Sequence, residues 1–299
     1  MITSAVLGGF LALLIAVPLS WKWQLGTFRV GVAVAGLAAV CALMVAAVQG
    51  FVPLGTAAVT VLVCFSTVAS GMAILLLRFY RDPERRPPKL ESGIVSPADG
   101  EVLYVKNVRQ GSLPVANKQG RNYTLTELTR TDLHSQEAVV VGIGMSFMDV
   151  HVNRAPISGR VVFQRHFPGR FGSLRSPAMV FENERATTVI ERESIQVAVV
   201  QIASRLVRQI VSYIQEGDEV TMGDRIGMIR FGSQVDLVLP ARSDMQLLVQ
   251  PGERVWAGES VIAMVGSRVW GAKSLHSISP QAGSGRVVRS AMGLVPSSK

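Results

Sequence analysis

Acidic residues are missing from the first 77 positions of this 299-residue chain, and the only basic residues there are Lys22 and Arg29. So little charge cannot solvate a globular surface, so the stretch reads as embedded in lipid, in line with a mean hydropathy of +0.34 for the whole chain. Cysteine is almost absent. Cys41 and Cys64 both lie in the apolar block, which excludes a disulfide framework and leaves them as small hydrophobes. No CxxC pair or HExxH run occurs, and His134, His151, His166 and His276 are too scattered for a local metal-ligand set. Nucleic-acid-binding motifs are lacking as well.

Within the block, three segments, Ser4 to Ser20, Arg29 to Val48 and Pro53 to Leu77, approach the roughly 20 residues that cross a bilayer. The first is short and carries Pro18, so a cleaved signal peptide or re-entrant piece is its alternative. Two to three transmembrane helices are therefore expected over residues 1–77. Arg78, Arg81, Arg85, Arg86 and Lys89 flank the last span, which places the polar remainder on the cytoplasmic side of the cell membrane. Of the formal charge of +9, +7 falls on residues 78–299, an excess that favours anionic partners such as acidic lipid headgroups or nucleic acid, between which charge alone does not choose.

From Leu90 to Val265 short β-branched runs alternate with Gly, Pro and Asp, as in Gly100 to Val105, Ala138 to Val141 and Gly159 to Phe163. The expected fold class is N-terminal transmembrane α-helices followed by a mainly β (α+β) domain over residues 78–265. Ala203 to Ile214 stays open between helix and strand. An internal echo stands out: Gly217-Asp-Glu-Val-Thr-Met-Gly223-Asp returns 35 residues later as Gly252-Glu-Arg-Val-Trp-Ala-Gly258-Glu. This G-[DE]-x-V-x-x-G-[DE] form resembles the hairpin corners of lipoyl- and biotinyl-type β sandwiches, and two such units are expected here. Residues 266–299, rich in Ser, Gly and Ala, read as a flexible tail.

The richest local constellation is Arg230-Phe-Gly232-Ser233-Gln-Val-Asp-Leu-Val-Leu-Pro240. Its Gly-Ser pair alone is uninformative, because four other such pairs occur in the chain. Taken without further context, Asp99 in Pro-Ala-Asp-Gly reads as a turn residue and His151 as a satisfied core histidine.

The context changes those readings. Arg230-Phe-Gly-Ser233 followed by an alternating strand resembles the self-cleavage segment of the short-form phosphatidylserine decarboxylase proenzymes. Phe79-Tyr-Arg-Asp-Pro-Glu-Arg85 resembles their membrane-exit motif, Ser96-Pro-Ala-Asp99-Gly100 their acidic turn, and Met148-Asp-Val-His151-Val-Asn-Arg154-Ala-Pro156 their histidine segment, in the same order along the chain. Arg154 departs from the long forms, which can carry a second histidine there.

The resemblance designates Asp99, His151 and Ser233 as catalytic. It implies that the Ser233 hydroxyl attacks the Gly232 carbonyl, that the resulting ester eliminates, and that residue 233 becomes a pyruvoyl group. A chain of residues 1–232 and one of 233–299 result. An imidazole near pKa 6.5 suits the base, and Asp99 is expected to hold the other ring nitrogen of His151. The pyruvoyl carbonyl would form a Schiff base with phosphatidylserine and accept the electrons released with CO2, giving phosphatidylethanolamine. The substrate would come from membrane lipid, archaetidylserine is a related headgroup lipid, and a homo-oligomer is compatible with all of this. Arg154, Arg160, Arg165 and Arg170 are candidate phosphate contacts. The rival readings are a serine hydrolase using the same three residues, although Ser233 is not in a Gly-x-Ser-x-Gly elbow, and a membrane-tethered lipoyl-like binding module.

Overall fold

The computed structural model describes residues 2–22, 25–90, 92–116, 122–170, 172–174, 178–193, 195–204, 209–230 and 233–266. Three helices open it: α1 (Ile2–Lys22), α2 (Thr27–Gln49) and α3 (Thr56–Phe79), each long and apolar enough to cross a membrane. They pack on one another through small residues. A Cβ on Gly8 would lie 2.6 Å from the Thr60 carbonyl oxygen, and one on Gly9 would lie 3.2 Å from Ala38, so glycine is what lets α1 approach both partners. Phe10, Leu14, Leu43, Phe65 and Leu77 stay exposed on the outside of the bundle, the pattern of a surface solvated by lipid.

After an extended strap over residues 80–89 the chain becomes β. The strands are β1 (Gly93–Val95), β2 (Gly100–Val108), β3 (Ser112–Ala116), β4 (Asn122–Thr124), β5 (Ala138–Met145), β6 (Val152–Arg154), β7 (Gly159–Phe167) and β8 (Arg185–Arg192). They continue as β9 (Ile195–Ala203), β10 (Gln209–Ser212), β11 (Glu219–Val220), β12 (Arg225–Arg230), β13 (Ser233–Pro240), β14 (Met245–Leu247), β15 (Arg254–Val255) and β16 (Val261–Val265). Two short helices, α4 (Leu125–Thr129) and α5 (Met179–Glu182), complete the set. The fold class expected from sequence is the one observed, and the open segment resolves as strand where it is described, at β10.

An eight-stranded antiparallel sheet, ordered β11-β7-β8-β9-β13-β5-β2-β15, forms the centre. Three-stranded sheets β1-β16-β14 and β10-β12-β6 accompany it. One apolar core joins the central sheet to these small sheets, through residues such as Ile94, Val141, Val199, Ile229, Leu237 and Ile262. A second lies on the other face under α4, α5 and the β3-β4 hairpin, where Tyr123 stacks on Phe181 at 3.7 Å. Strand β9 is buried along almost its whole length, which explains its continuous apolar run: a strand covered on both faces has no reason to alternate.

The strand order hides a duplication. Gly100 pairs with Val255 and Glu101 with Arg254; Gly159 pairs with Val220 and Arg160 with Glu219. The hairpin partners are 35 residues apart and the glycine strands 59 apart, so Ser96-Pro-Ala-Asp-Gly-Glu-Val102 and Ala155-Pro-Ile-Ser-Gly-Arg-Val161 are counterparts. At both glycines an added Cβ would sit 2.3 Å from a backbone carbonyl oxygen, of Gly144 or of Glu191. The glycines of the sequence echo all have positive φ, 100° and 90° at Gly217 and Gly223, 93° and 75° at Gly252 and Gly258, which is why glycine recurs there. In this correspondence β2, β5, β13 and β15 match β7, β8, β9 and β11.

One half is inserted into the other. Strands β8 and β9 are joined by a tight turn, with Glu193 at φ 56°. Their counterparts β5 and β13 pair in the same antiparallel way, Ser233 opposite Met145, but residues 146–232, the whole second half, lie between them. The junction of Gly232 and Ser233 is where the inserted half rejoins its host.

Candidate functional site

His151 stands just before β6 and is fully buried. Its backbone carbonyl accepts a hydrogen bond from Ile229 of β12 at 3.2 Å. Its Nδ1 lies 2.9 Å from the Asp149 carbonyl oxygen. A carbonyl can only accept, so Nδ1 carries the hydrogen and Nε2 keeps its lone pair. Among the described residues Nε2 has no hydrogen-bond partner. A buried nitrogen without a partner is unfavourable unless another group uses it. Burial, opposed by the Asp149 carbonyl and charge and assisted by Arg81, pushes the ring pKa down to about 4. The imidazole is therefore neutral at pH 7, with a free basic nitrogen.

The ring over His151 belongs to the last residue of α3. The Phe79 side chain is fully buried, with its centroid 4.1 Å from that of His151 and 5.3 Å from that of Phe147. The imidazole is thus roofed by the end of a candidate membrane span. Arg81 donates to the Met148 carbonyl at 2.9 Å and fastens the strap to the 146–151 turn. That turn is held internally by Asp149, which accepts from the Ser146 backbone at 2.7 Å and pairs with Arg254.

Asp99 is buried, but it is not the group that orients His151. Its carboxylate accepts from Arg85 Nη2 at 2.9 and 2.7 Å and from the Ala257 backbone N–H at 2.7 Å. The expected Asp99–His151 hydrogen bond is thereby corrected: a main-chain carbonyl, that of Asp149, fixes the tautomer instead.

Ser233 begins β13, opposite Met145 on β5 and Ala203 on β9. Residues 231 and 232, with the expected cut after Gly232, lie outside the described residues, as does the Ser233 side chain. The backbone still relates them to His151. Strand β12 binds the His151 carbonyl through Ile229 and ends at Arg230, and Met145 opens directly into the turn that carries His151. The topology brings the histidine and the head of β13 to one end of the central sheet.

Three groups escaped the reading of the sequence. Phe79 opens the exit motif, but nothing there discloses that its ring covers His151, and the Asp149 carbonyl has no signature that could have revealed it. Arg85 stands in the exit motif, and its spacing from Asp99 does not disclose the pairing. Arg154, a candidate phosphate contact, is buried and already engaged with Asp82, the Pro83 carbonyl and the Gly223 carbonyl at 3.0, 2.9 and 2.8 Å. Arg170 pairs with Glu182 and Arg165 lies over the Phe163 ring, which leaves Arg160 as an exposed candidate on β7. Next to Ser233 in sequence, Gln234 and the fully buried Asp236 bond the Tyr104 hydroxyl. Burial pushes the Asp236 carboxyl up to about 6.

Known proteins match this chain over the same region. The family described as phosphatidylserine decarboxylase matches residues 72–263. A protein of Methanothermobacter thermautotrophicus named "Putative archaetidylserine decarboxylase proenzyme" is 43% identical over 188 residues, covering 63% of this chain and 79% of that protein. Phosphatidylserine decarboxylase proenzymes of Pelobacter propionicus and Geobacter sulfurreducens are 40% identical over 203 residues and 36% identical over 233 residues. These alignments cover 68% and 77% of this chain, and 82% and 92% of those proteins.

Proposed function

The chain belongs to the phosphatidylserine decarboxylase family, and from that premise we propose that it cuts itself between Gly232 and Ser233 and then decarboxylates the serine headgroup of a membrane phospholipid. The family is one of pyruvoyl-dependent decarboxylase proenzymes. The observation that carries the reading to particular residues is His151: buried, neutral, with Nδ1 tied to a carbonyl and Nε2 without a partner among the described residues, at the sheet end where β12 gives way to β13.

In this reading His151 Nε2 takes the Ser233 hydroxyl proton as the oxygen attacks the Gly232 carbonyl carbon. The Gly232–Ser233 C–N bond breaks, the proton passes to the released nitrogen, and the amide becomes an ester. Loss of the Ser233 α-proton and cleavage of the Cβ–O bond free residues 1–232 with a terminal carboxylate. Hydrolysis of the remaining enamine nitrogen leaves a pyruvoyl group and ammonia. Position 233 fits such a group: it heads a strand paired on both sides, so the new terminus stays anchored after the cut. When formed, a pyruvoyl group supplies an electrophilic carbonyl and a conjugated amide that accepts the electron pair of the departing CO2. In this reading His151 then returns a proton to the former α-carbon, and the ring of Phe79 keeps bulk water from the imidazole.

The three apolar helices support membrane association. The basic cluster from Arg78 to Lys89 supports a cytoplasmic face. Residues 1–77 would be the anchor and 78–265 the catalytic unit, with the substrate drawn from the bilayer beside α3.

The test is to supply the purified protein with vesicles of phosphatidylserine, or of its archaeal ether-lipid counterpart, and to follow CO2. Release of CO2 is expected from at least one of them. Cyanoborohydride added with the lipid should stop turnover and leave a lipid-sized mass adduct on the fragment that starts at residue 233. Activity without any adduct on that fragment would overturn the reading.

The titration of His151 gives a further expectation. Its pKa is about 4, below the ordinary 6.5, so the base-competent neutral form persists as the pH falls past 6.5. Self-cleavage measured from pH 8 downward should hold to about pH 5 and fail through about pH 4. Phe79→Ala, by admitting water to the ring, should move that failure up toward 6.5. The same depression makes His151 contribute stability that is full above 6.5 and lost as the pH falls through about 4.

A further inference from the structure

We infer that Asp99 is a positioning residue whose charge latches the strap that carries Phe79, a role that rests on the reading of His151 given above. The duplication supplies the argument. Asp99 and Ser158 are counterparts, as are Ala257 and Met222. The Ala257 N–H donates to Asp99 Oδ1 at 2.7 Å, and the Met222 N–H donates to Ser158 Oγ at 2.8 Å. The neighbouring bonds agree: Gly258 N–H to the Ser96 carbonyl at 2.8 Å, and Gly223 N–H to the Ala155 carbonyl at 2.9 Å.

The local task at this corner, accepting one backbone N–H, is therefore met by a serine hydroxyl in one half. What Asp99 adds is a negative charge, and the group that uses it is Arg85. The guanidinium lies between Asp99 and Glu259, the latter at 2.9 Å, and the Arg86 backbone N–H also donates to Glu259 at 3.1 Å. Arg85 is itself nearly buried, with its side chain 10% exposed, so the pair is little screened by solvent.

Arg85 follows the end of α3 by six residues. Holding it on the hairpin corner holds the intervening strap, and with it the placement of Phe79 over His151. A carboxylate at this position thus reaches the imidazole through the backbone of the strap, not through a hydrogen bond to the ring.

The test uses the full chain in detergent or membranes, with two readouts: the rate of self-cleavage and the rate of tryptic cleavage after Arg85 within the strap. Asp99→Ser copies the natural counterpart and keeps the corner bond, so it removes the charge with the fold intact; Asp99→Asn does the same in a side chain of unchanged shape. Both are expected to raise tryptic cleavage of the strap several-fold and to slow self-cleavage on the order of tenfold, as a misplaced roof on the base would. For the Arg85 arm, which removes that tryptic site, Arg85→Met is expected to slow self-cleavage at least as much and to raise cleavage after Arg81; Asp99→Ser with Arg85→Met should be no slower than Arg85→Met alone. Self-cleavage at the wild-type rate in Asp99→Ser would overturn the inference. So would its loss with a strap as protected as wild type while Arg85→Met cuts normally, because Asp99 would then act on the reacting atoms. If wild type itself stays uncut, the reading of Ser233 fails, and the tryptic result alone decides the latch.

Discussion

Replacing Ser233 by alanine should leave a single intact chain, where the wild type yields fragments 1–232 and 233–299. The hydroxyl oxygen is both the attacking atom and the atom that leaves with Gly232, and alanine supplies neither. No rerouting through water forms the pyruvoyl group, so lipid decarboxylation should fall below about one-thousandth of wild type. Intact-mass analysis of the two proteins decides it. The wild-type fragment starting at residue 233 should carry a blocked terminus, absent from Ser233→Ala. An uncut wild-type chain that still acted on lipid would return Ser233 to a serine-hydrolase reading, and an uncut, inactive one to a binding module.

His151→Gln should slow self-cleavage by roughly a hundredfold to ten-thousandfold, the usual worth of a positioned base. Glutamine can still hydrogen-bond the Asp149 carbonyl, so the packing under Phe79 survives and the loss reports on the missing base. The counterpart of His151 in the other half provides the control. The Ser92 carbonyl accepts from Val265 at 2.9 Å as the His151 carbonyl accepts from Ile229, and Ser92→Ala should cut at the wild-type rate. His151→Gln processed at an unchanged rate would remove His151 from the cleavage step. His151→Ala opens space for a free imidazole, and restoration of cutting by added imidazole would point to the ring itself.

Much of the architecture was legible because it rests on local rules. Spans announce themselves by apolar length, and hairpin corners by glycines that need positive φ. The helix-or-strand ambiguity over Ala203 to Ile214 arose because the strand there, β10, is only four residues long, too short for its alternation to outweigh a helical spacing. The duplication went unseen beyond its hairpins, since the two x-Pro-x-x-Gly-x-Val segments share only residues that turns and strands use everywhere. The segments that carry the buried groups Asp99 and His151 were legible, whereas the partners of those groups were not. Asp99 was matched to His151 because acid and imidazole so often pair, yet the acid has an arginine and the imidazole a main-chain carbonyl, and no carbonyl leaves a mark in sequence. The Arg154 side chain is equally a matter of tertiary placement: its charge suits a phosphate, but Asp82 and two carbonyls already hold it.

The insertion of one half into the other has a consequence for the life of the molecule after the cut. Strand β13 reaches the middle of the sheet only because the chain delivers it there, between β5 and β9. Scission where guest rejoins host takes away no strand, and beyond the backbone N–H of residue 233 the ladder of β13 is untouched, so the assembled sheet should persist. It does remove the tether. Two separate polypeptides would then share one sheet, and recovery from unfolding would depend on their meeting again, at a rate set by concentration where the precursor needs none. The uncut Ser233→Ala precursor should refold from denaturant, whereas the matured pair, diluted after denaturation, should not return. Maturation would then give a durable catalyst that each chain assembles only once.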